Sequence, residues 1–453
     1  MSKIIKINRG LDINLQGKAA AKTTVLPQAG SYAVSPLDFE GLTPKLLVKA
    51  GDKVKAGDAL FFAKHDERIL FTTPVSGTVS AVNRGEKRRI LNVTVEADAE
   101  QSYKKFEVPS LESATRSDVI RLLLESGLWP MIIQRPFGVI AKPDDTPKAV
   151  FVSGFDSAPL APDTDYVLES RKADLQKGFE ALGRLTDGKV VLSLNAASAN
   201  KSFEGLKGVD VHYFRGVHPA GNVGVQIHHI DPINKGEVVW TVNIQDVAVI
   251  GRFFATGRVD MTKTIALTGS QVTEPQYYTL IGGAPVSSIV GGRIKPQAEG
   301  DSVRIISGNV LTGTKVEEDG YLTFYAHQVT VIPEGNKYEL LGWAMPRLNK
   351  FSVSHAYFSW LCPHKQYDLD TNLNGGERPF VVTGLFERYL PMDIYPMYLL
   401  KAIMAGDIDK MENLGIYEVI EEDLALCEFV DPSKTEIQYL LRQGINQMIK
   451  ELD

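Results

Sequence analysis

The chain has few cysteines and lacks long apolar runs. It has only 2 cysteines in 453 residues, Cys362 and Cys427, which excludes a disulfide framework and suits a reducing compartment. The most apolar window, residues 238–255, is interrupted by charged residues such as Asp246 and Arg252. No segment therefore supplies the roughly 20 consecutive apolar residues that cross a bilayer.

An excess of positive charge is also missing. The formal net charge is −6 and the pI is about 5.9, whereas a nucleic-acid-binding domain usually carries a concentrated positive field. We therefore expect no nucleic-acid partner. The first ten residues have no apolar stretch followed by a cleavage site, so no secretory signal is expected. The length predicts several domains, since one core rarely serves more than about 250–300 residues.

The first hundred residues have the pattern of short paired strands. Gly51-Asp52 and Gly57-Asp58 mark turns between alternating segments, and residues 73–79 repeat the pattern. This pattern resembles the biotinyl/lipoyl barrel-sandwich fold. A carrier domain of that fold presents a modified lysine at a hairpin tip, but spacing from Pro74 puts Asp66 at that position. Lys64 is interpreted as a solvated charge at the tip.

The next part of the chain alternates strands and helices. Strands are predicted over residues 148–153, 189–194 and 209–214, with a helix over residues 169–185 between the first two. An earlier helix is predicted from Ser117, with Ser117 and Asp118 as cap candidates. This rhythm indicates a parallel sheet and a Rossmann-like domain. The Gly-x-Gly-x-x-Gly fingerprint of dinucleotide binding is absent.

Residues 215–230 combine a shaped loop with an apolar run. Pro219 and Gly221 allow unusual backbone conformations, and the following valines and isoleucines predict a buried strand. Neighbouring His228 and His229 would then point to opposite faces, which argues against a zinc site. A structural turn and a functional loop both remain open for this segment.

A second candidate is the aromatic loop over residues 128–137. Its apolar side chains surround Gln134 and Arg135, a mixture that suits an apolar ligand with a polar head, a protein surface, or simply a core. Short strands over residues 262–311 predict a small β-grasp unit. Residues 327–332 and 338–343 predict a hairpin, and residues 397–404 and 436–452 predict helices.

Together these segments resemble the NqrA subunit of the bacterial sodium-translocating NADH:quinone reductases, the Nqr-type complexes. The most specific marks are His218-Pro-Ala-Gly221, residues 305–313, residues 342–346 with 349–353, and Asp423-Leu-Ala-Leu-Cys427. This family is more distantly similar to the flavin subunit of respiratory complex I and to the Rnf-type C subunit. Those relatives bind flavin mononucleotide, NADH and iron-sulfur clusters.

This chain departs from those relatives at both cofactor positions. Their cluster-binding cysteines correspond to Glu421, Leu424, Cys427 and Asp431 here, and one thiolate cannot hold a cubane. Cys427 is expected to be a buried small apolar residue. Their glycine-rich flavin loop corresponds to the bulky residues 127–137, which leave no close backbone approach to a phosphate. We therefore expect no cofactor on this chain, with flavin and iron-sulfur groups confined to partner subunits.

The expected architecture is α/β and β multidomain. It comprises a barrel-sandwich domain (residues 1–104), a Rossmann-like domain (105–255), an SLBB-like β-grasp domain (256–322), and a hairpin with a C-terminal helical domain (323–453).

The resemblance implies a peripheral subunit on the cytoplasmic side of the bacterial inner membrane. It would assemble with other Nqr subunits, including membrane-embedded ones, in a complex that couples NADH oxidation and quinone reduction to Na⁺ export. The alternative is a freestanding cofactor-carrier or flavin- or nucleotide-binding protein. The candidate residues for quinone binding or docking are Trp129, Gln134, Arg135, Phe137, His218 and Pro219.

Overall fold

The computed structural model describes residues 4–335 and 339–452. Its strands are β1 (Ile4–Ile7), β2 (Ala20–Val25), β3 (Ser31–Val34), β4 (Pro44–Leu46), β5 (Lys53–Val54), β6 (Ala59–Ala63), β7 (Asp66–Thr72), β8 (Gly77–Arg84), β9 (Ile90–Ala97), β10 (Ile132–Arg135), β11 (Val139–Ile140), β12 (Ala149–Ser153), β13 (Lys189–Asn195), β14 (Asp210–Gly216), β15 (Val239–Val242), β16 (Thr262–Thr268), β17 (Gln276–Ile281), β18 (Val303–Ser307), β19 (Thr314–Val316) and β20 (Gln328–Pro333).

The α-helices lie mainly between the strands of the Rossmann-like domain and in the C-terminal region. They are α1 (Arg116–Glu125), α2 (Thr164–Leu168), α3 (Lys172–Gly183), α4 (Val223–Ile230), α5 (Ile244–Thr256), α6 (Val286–Val290), α7 (Pro396–Ala405), α8 (Ile408–Asn413), α9 (Glu421–Val430) and α10 (Ile437–Leu452). α1 begins after Thr115, whose hydroxyl accepts from the Asp118 N–H while the Asp118 carboxylate accepts from the Thr115 N–H. The helix thus starts slightly earlier than predicted.

The N-terminal region has the expected sandwich of two sheets. One sheet has the order β3-β9-β8-β5 and the other the order β4-β6-β7. β6 and β7 form the predicted hairpin, with Lys64 exposed at its tip. The first two strands, however, lie elsewhere: β1 pairs with β14 and β2 pairs with β17. The N-terminal segment therefore ties the sandwich to the two following sheets.

The Rossmann-like domain has the predicted parallel sheet. Its seven strands have the order β1-β14-β13-β12-β15-β10-β11, and the first five are mutually parallel. α3 and α5 pack together against it with Leu175, Phe179 and Val247 in the core. The strand order reverses at β12, because β13 and β14 extend the sheet on one side and β15 on the other. Such a reversal opens a crevice at the carboxyl ends of the strands.

The predicted strand over residues 223–230 is wrong, because this segment is the helix α4. Val223, Ile227 and Ile230 contact the sheet residues Phe151 and Val239. The opposite side of the helix, at Val225, packs into the core of the C-terminal domain. A helix buried on two sides is apolar nearly all round, and over eight residues such a run is indistinguishable from a buried strand.

The predicted hairpin after β20 is also wrong. β20 pairs with β16 on one side and β18 on the other, so both its edges are occupied. Of its proposed partner, Tyr338 lies outside the described residues, and Gly342–Ala344 is a single 3₁₀ turn. The six-stranded sheet has the order β19-β18-β20-β16-β17-β2. The predicted C-terminal helices are confirmed as α7 and α10.

Candidate functional site

A cavity of about 270 Å³ lies in the crevice where the strand order reverses. We call it the switch-point cavity. It is lined by residues that follow β12 (Ser153, Phe155, Asp156), by the end of β15 and start of α5 (Thr241, Asn243, Ile244), by the loop before α4 (His218, Gly221, Asn222), by the loop after β18 (Asn309, Leu311, Thr312), and by Arg135, Ile420 and Glu422. Three structural units therefore meet around one space, and a bound molecule there would contact all of them.

Arg135 is the central charge of this cavity. It ends β10, is 1% exposed, and donates from Nη1 to the Asp423 carboxylate at 2.7 Å. Its other terminal nitrogen donates to Glu422. Nε has no hydrogen-bond partner among the described residues. A buried guanidinium needs carboxylate partners such as Asp423 and Glu422, because an unpaired buried charge costs several kcal/mol. These ion pairs also join α9 to the parallel sheet.

His218 occupies the opposite part of the lining and is held by its neighbours. Its main-chain N–H donates to Asp12 Oδ1 at 2.8 Å, and Nδ1 lies 3.1 Å from Ser157 Oγ. Ser157 Oγ already accepts from the Gly221 N–H at 2.8 Å, so its own hydrogen is free to donate to Nδ1. The neutral imidazole then carries its proton on Nε2, which has no hydrogen-bond partner among the described residues.

Two glycines allow the close approaches that shape the cavity. A Cβ atom at Gly221 would lie 2.4 Å from the Ser157 nitrogen. At Gly224 it would lie 2.3 Å from Asp423 Oδ1 and 2.5 Å from Arg135 Nη1. All three distances are below any normal contact, so only glycine permits this backbone placement. Gly221 and Gly224 are therefore required for packing around the cavity.

Burial sets the protonation of the cavity groups. Burial lowers the pKa of His218 to about 4, so the ring is neutral near pH 7. Burial raises the pKa of Glu422 to about 7 despite the opposing Arg135 charge. Burial also raises the pKa of Asp156. The cavity therefore has one fixed cation, one neutral histidine, and carboxyl groups that resist ionisation.

Three matched domain families cover most of the chain. Residues 5–98 match the NqrA N-terminal barrel-sandwich hybrid domain, residues 114–259 the NqrA second alpha/beta domain, and residues 264–318 the NQRA C-terminal domain.

Full-length relatives share one name, that of the NqrA subunit of Na(+)-translocating NADH-quinone reductase. The protein from Neisseria meningitidis serogroup A is 38% identical over 99% of this chain and 100% of its own length. Those from Saccharophagus degradans and Haemophilus influenzae are 37% and 38% identical over the same shares. The chain belongs to the NqrA family. A solved NAD⁺-reducing [NiFe]-hydrogenase matches 76% of this chain and 62% of its own, with 14% identity and a TM-score of 0.38, too low to carry an argument.

The three matched domains of the NqrA family agree with the predicted barrel-sandwich, Rossmann-like and SLBB-like units. Across residues 4–335 and 339–452, no helix has the length and apolarity needed to span a bilayer. The same residues contain no group of three or more His, Cys, Asp or Glu side chains arranged to hold a metal ion. His228, on the helix α4, instead pairs with Glu418 at 2.6 Å and accepts from the Asp393 N–H.

The six candidate residues separate into two groups. Arg135 and His218 both line the switch-point cavity. Trp129 is fully buried, donates to the Ala141 carbonyl at 2.7 Å and packs edge-on against Trp240. Gln134 is buried and donates to Asp145 at 3.0 Å.

Phe137 and Pro219 complete the second group. Phe137 packs against Tyr417 with ring centroids 6.0 Å apart. Pro219 is buried beside Gly10. Core packing accounts for these two residues, as it does for Trp129 and Gln134.

The sequence reasoning missed Asp156, Ser157, Asn243, Glu422 and Asp423. Ser157 and Asp156 follow the end of β12, and Asn243 follows β15, so strand ends at the reversal of strand order were an available signal. Glu422 and Asp423 had no such signal. They lie 287 and 288 residues from Arg135 in sequence, and only the fold brings them together.

The positions that correspond to cluster ligands in distant relatives have structural roles here. Glu421 pairs with Arg442, and Leu424 is fully buried. The predicted burial of Cys427 is confirmed, since it is 1% exposed, and burial raises the pKa of its thiol. Asp431 accepts from the Ser433 and Thr435 main-chain N–H groups. Each side chain thus contributes to packing, to an ion pair or to a turn.

Proposed function

We propose that this chain acts as the NqrA subunit of a sodium-translocating NADH-quinone reductase, bound at the cytoplasmic side of the membrane and assembled with the other subunits. The observation that carries the proposal is the match to NqrA relatives over 99% of the chain and their full length. Among the described residues, no helix is long and apolar enough to cross a membrane. Flavin, iron-sulfur and sodium chemistry would then belong to partner subunits.

A tagged copy of the chain, isolated from detergent-solubilised membranes, tests the assembly. We expect stoichiometric recovery of several membrane proteins and of NADH-quinone reductase activity. Recovery of the chain alone would favour a freestanding protein. Intact-chain mass would then decide whether Lys64 carries an acyl or biotinyl group, and the visible spectrum whether the purified chain carries a flavin.

We also propose that the switch-point cavity receives the head group of a quinone. Two buried N–H groups, Arg135 Nε and His218 Nε2, have no partner among the described residues, and a quinone offers two carbonyl acceptors. The lining mixes these donors with apolar side chains such as Phe155, Val242 and Leu311. This mixture is typical of small-molecule sites.

The charge of the cavity supports a neutral ligand over a nucleotide. Asp156 and Glu422 line the cavity, and Asp423 lies behind Arg135. A pyrophosphate would meet these carboxyl groups with only one cation, itself already paired. Anion binding at a strand end needs a positive potential as well as free donors. A quinone carries no charge and therefore needs no free cation.

Binding of a short-chain ubiquinone analogue to the purified chain tests the cavity. His218→Ala removes one donor, and loss of a single hydrogen bond should weaken binding about three- to tenfold. The matched control is His229→Ala, because His229 is exposed and outside the lining. Equal affinity of both variants and the unaltered chain would place the quinone elsewhere.

A further inference from the structure

The strand β1 forms one edge of the seven-stranded sheet. It pairs with β14 on one side only, and among the described residues no other segment hydrogen-bonds to the main chain of Ile4–Ile7. In an edge strand, alternate N–H and C=O groups point away from the sheet and remain available to a further strand. We call the outer side of β1 the open edge.

Two cations lie side by side next to the open edge. Lys6 on β1 is directly opposite Arg215 on β14, so their side chains point to the same face from strands about 4.8 Å apart. Both side chains are exposed. Like charges at directly opposite positions destabilise a sheet. A third exposed cation, Arg9, follows shortly after the end of β1.

No anion balances these three cations within the described residues. Lys6, Arg9 and Arg215 take part in no ion pair and no side-chain hydrogen bond there. Lys189 on β13, by contrast, pairs with Asp210 on β14 at 2.7 Å. The whole chain has a net charge of −6, so this local excess of positive charge differs from the average of the surface. An acidic partner would offset the repulsion between Lys6 and Arg215.

The two faces of β1 determine which sequence an added strand would need. Ile5 and Ile7 pack against the core of the C-terminal domain. Ile4 and Lys6 point to the other face and are exposed. Since side chains alternate along a strand, an added strand would place apolar residues beside Ile5 and Ile7 and acidic residues beside Lys6.

The charge of the open edge also selects between partners. Lysine on an edge strand normally opposes further pairing. At this edge Lys6 would repel a basic strand and a second copy of β1, but it would attract a strand that carries carboxylates. The partner that fits is therefore a different chain with an extended, acidic segment.

We propose that the open edge binds an extended acidic segment of a partner subunit by strand addition. The main chain of the segment would hydrogen-bond to the outward N–H and C=O groups of β1, and its carboxylates would pair with Lys6 and Arg215. Main-chain hydrogen bonds supply affinity in such complexes, and alternate side chains supply specificity. This inference rests on the proposed assembly with other subunits and is independent of quinone binding in the switch-point cavity.

Binding of two synthetic peptides to the purified full-length chain tests the proposal. One is a short peptide of alternating valine and glutamate, and in the other lysine replaces glutamate. Fluorescence anisotropy of the labelled peptides should show binding of the glutamate peptide alone, and this binding should weaken as salt is raised. Lys6→Ala/Arg215→Ala should weaken it about five- to tenfold, the effect of losing two exposed ion pairs.

The charge-reversed variant Lys6→Glu/Arg215→Glu should exchange the preference and bind the lysine peptide instead. The matched control is Lys87→Glu/Arg88→Glu, which reverses an exposed lysine and arginine between β8 and β9. It should bind the glutamate peptide like the unaltered chain. Absence of glutamate-peptide binding by the unaltered chain, or an unchanged preference in the charge-reversed variant, would overturn the proposal.

Recovery of partner subunits from detergent-solubilised membranes separates this inference from the assembly on which it rests. We expect the tagged charge-reversed variant to recover fewer partner subunits than the tagged unaltered chain. Equal recovery by both would overturn strand addition and leave the assembly standing, whereas an unaltered chain that recovers no partner would overturn the assembly and the inference with it. Binding of the unaltered chain to phosphatidylglycerol vesicles but not to the glutamate peptide would assign the cations to a lipid surface and also overturn the inference.

Discussion

Gly224→Ala is the sharpest test of how the switch-point cavity is held together. Gly224 lies in the first turn of α4, against the pair formed by Arg135 and Asp423. An added Cβ would lie 2.3 Å from Asp423 Oδ1 and 2.5 Å from Arg135 Nη1. Either α4 moves or the buried pair separates, because both partners are enclosed.

The expected loss of stability follows from two opposing effects. Breaking a buried ion pair costs about 3–5 kcal/mol, because a buried charge is left without compensation. Alanine gains up to about 1 kcal/mol over glycine within a helix. The free energy of unfolding should therefore fall by about 2–4 kcal/mol.

Urea unfolding followed by far-ultraviolet circular dichroism measures this change. The matched control is Gly183→Ala at the end of α3, where an added Cβ meets nothing within 4 Å. The control should be neutral or slightly stabilising. If Gly224→Ala unfolds at the same urea concentration as Gly183→Ala, α4 does not pack closely on the ion pair.

Three further outcomes follow from burial and charge. Because the pKa of His218 falls from 6.5 to about 4 on folding, its contribution to stability is complete above pH 6.5 and is lost as the pH falls toward 4. When the pH falls from about 7 to about 5, the unaltered chain should lose about 2 kcal/mol more of its free energy of unfolding than the His218→Gln variant, as measured by urea unfolding. An identical pH dependence of the two chains would contradict this. Folding raises the pKa of Glu422 from 4.5 to about 7, so the free energy of unfolding falls as the pH rises from 4.5 to 7. Glu422→Gln should therefore raise the melting temperature more at pH 8 than at pH 5. Cys427→Ser, which places a hydroxyl in an apolar core, should cost about 1–3 kcal/mol by urea unfolding, whereas Cys427→Ala should cost less; the reverse order would show that Cys427 is not packed as an apolar residue.

The local pattern of the sequence was sufficient where neighbours in sequence decide the structure. The hairpin of β6 and β7, the strands β12 to β14 and the helix α10 were all predicted from turns and periodicity, because each has a local pattern of apolar and turn residues. The strand β1 was not assigned to its sheet, since its partner β14 lies about two hundred residues further along. Long-range pairing leaves no mark in a local pattern.

The candidate site divides in the same way. The sequence reasoning selected Arg135 because it is a charged residue in an aromatic, apolar loop, and His218 because it lies beside a proline in a glycine-containing loop. The residues that hold them, Asp423 and Ser157, look ordinary in sequence. The helix α4 misled the prediction because it is buried on two sides, and only the packing of the C-terminal domain makes that evident.

The most direct test of the central claim is sodium transport in membrane vesicles from cells whose own gene for this chain is deleted and then restored. We predict that NADH-driven, quinone-dependent Na⁺ uptake is absent without the chain and returns with it. Uptake that continues unchanged in the deleted cells, where no other copy of the gene is present, would contradict the assignment of this chain to a sodium-translocating NADH-quinone reductase.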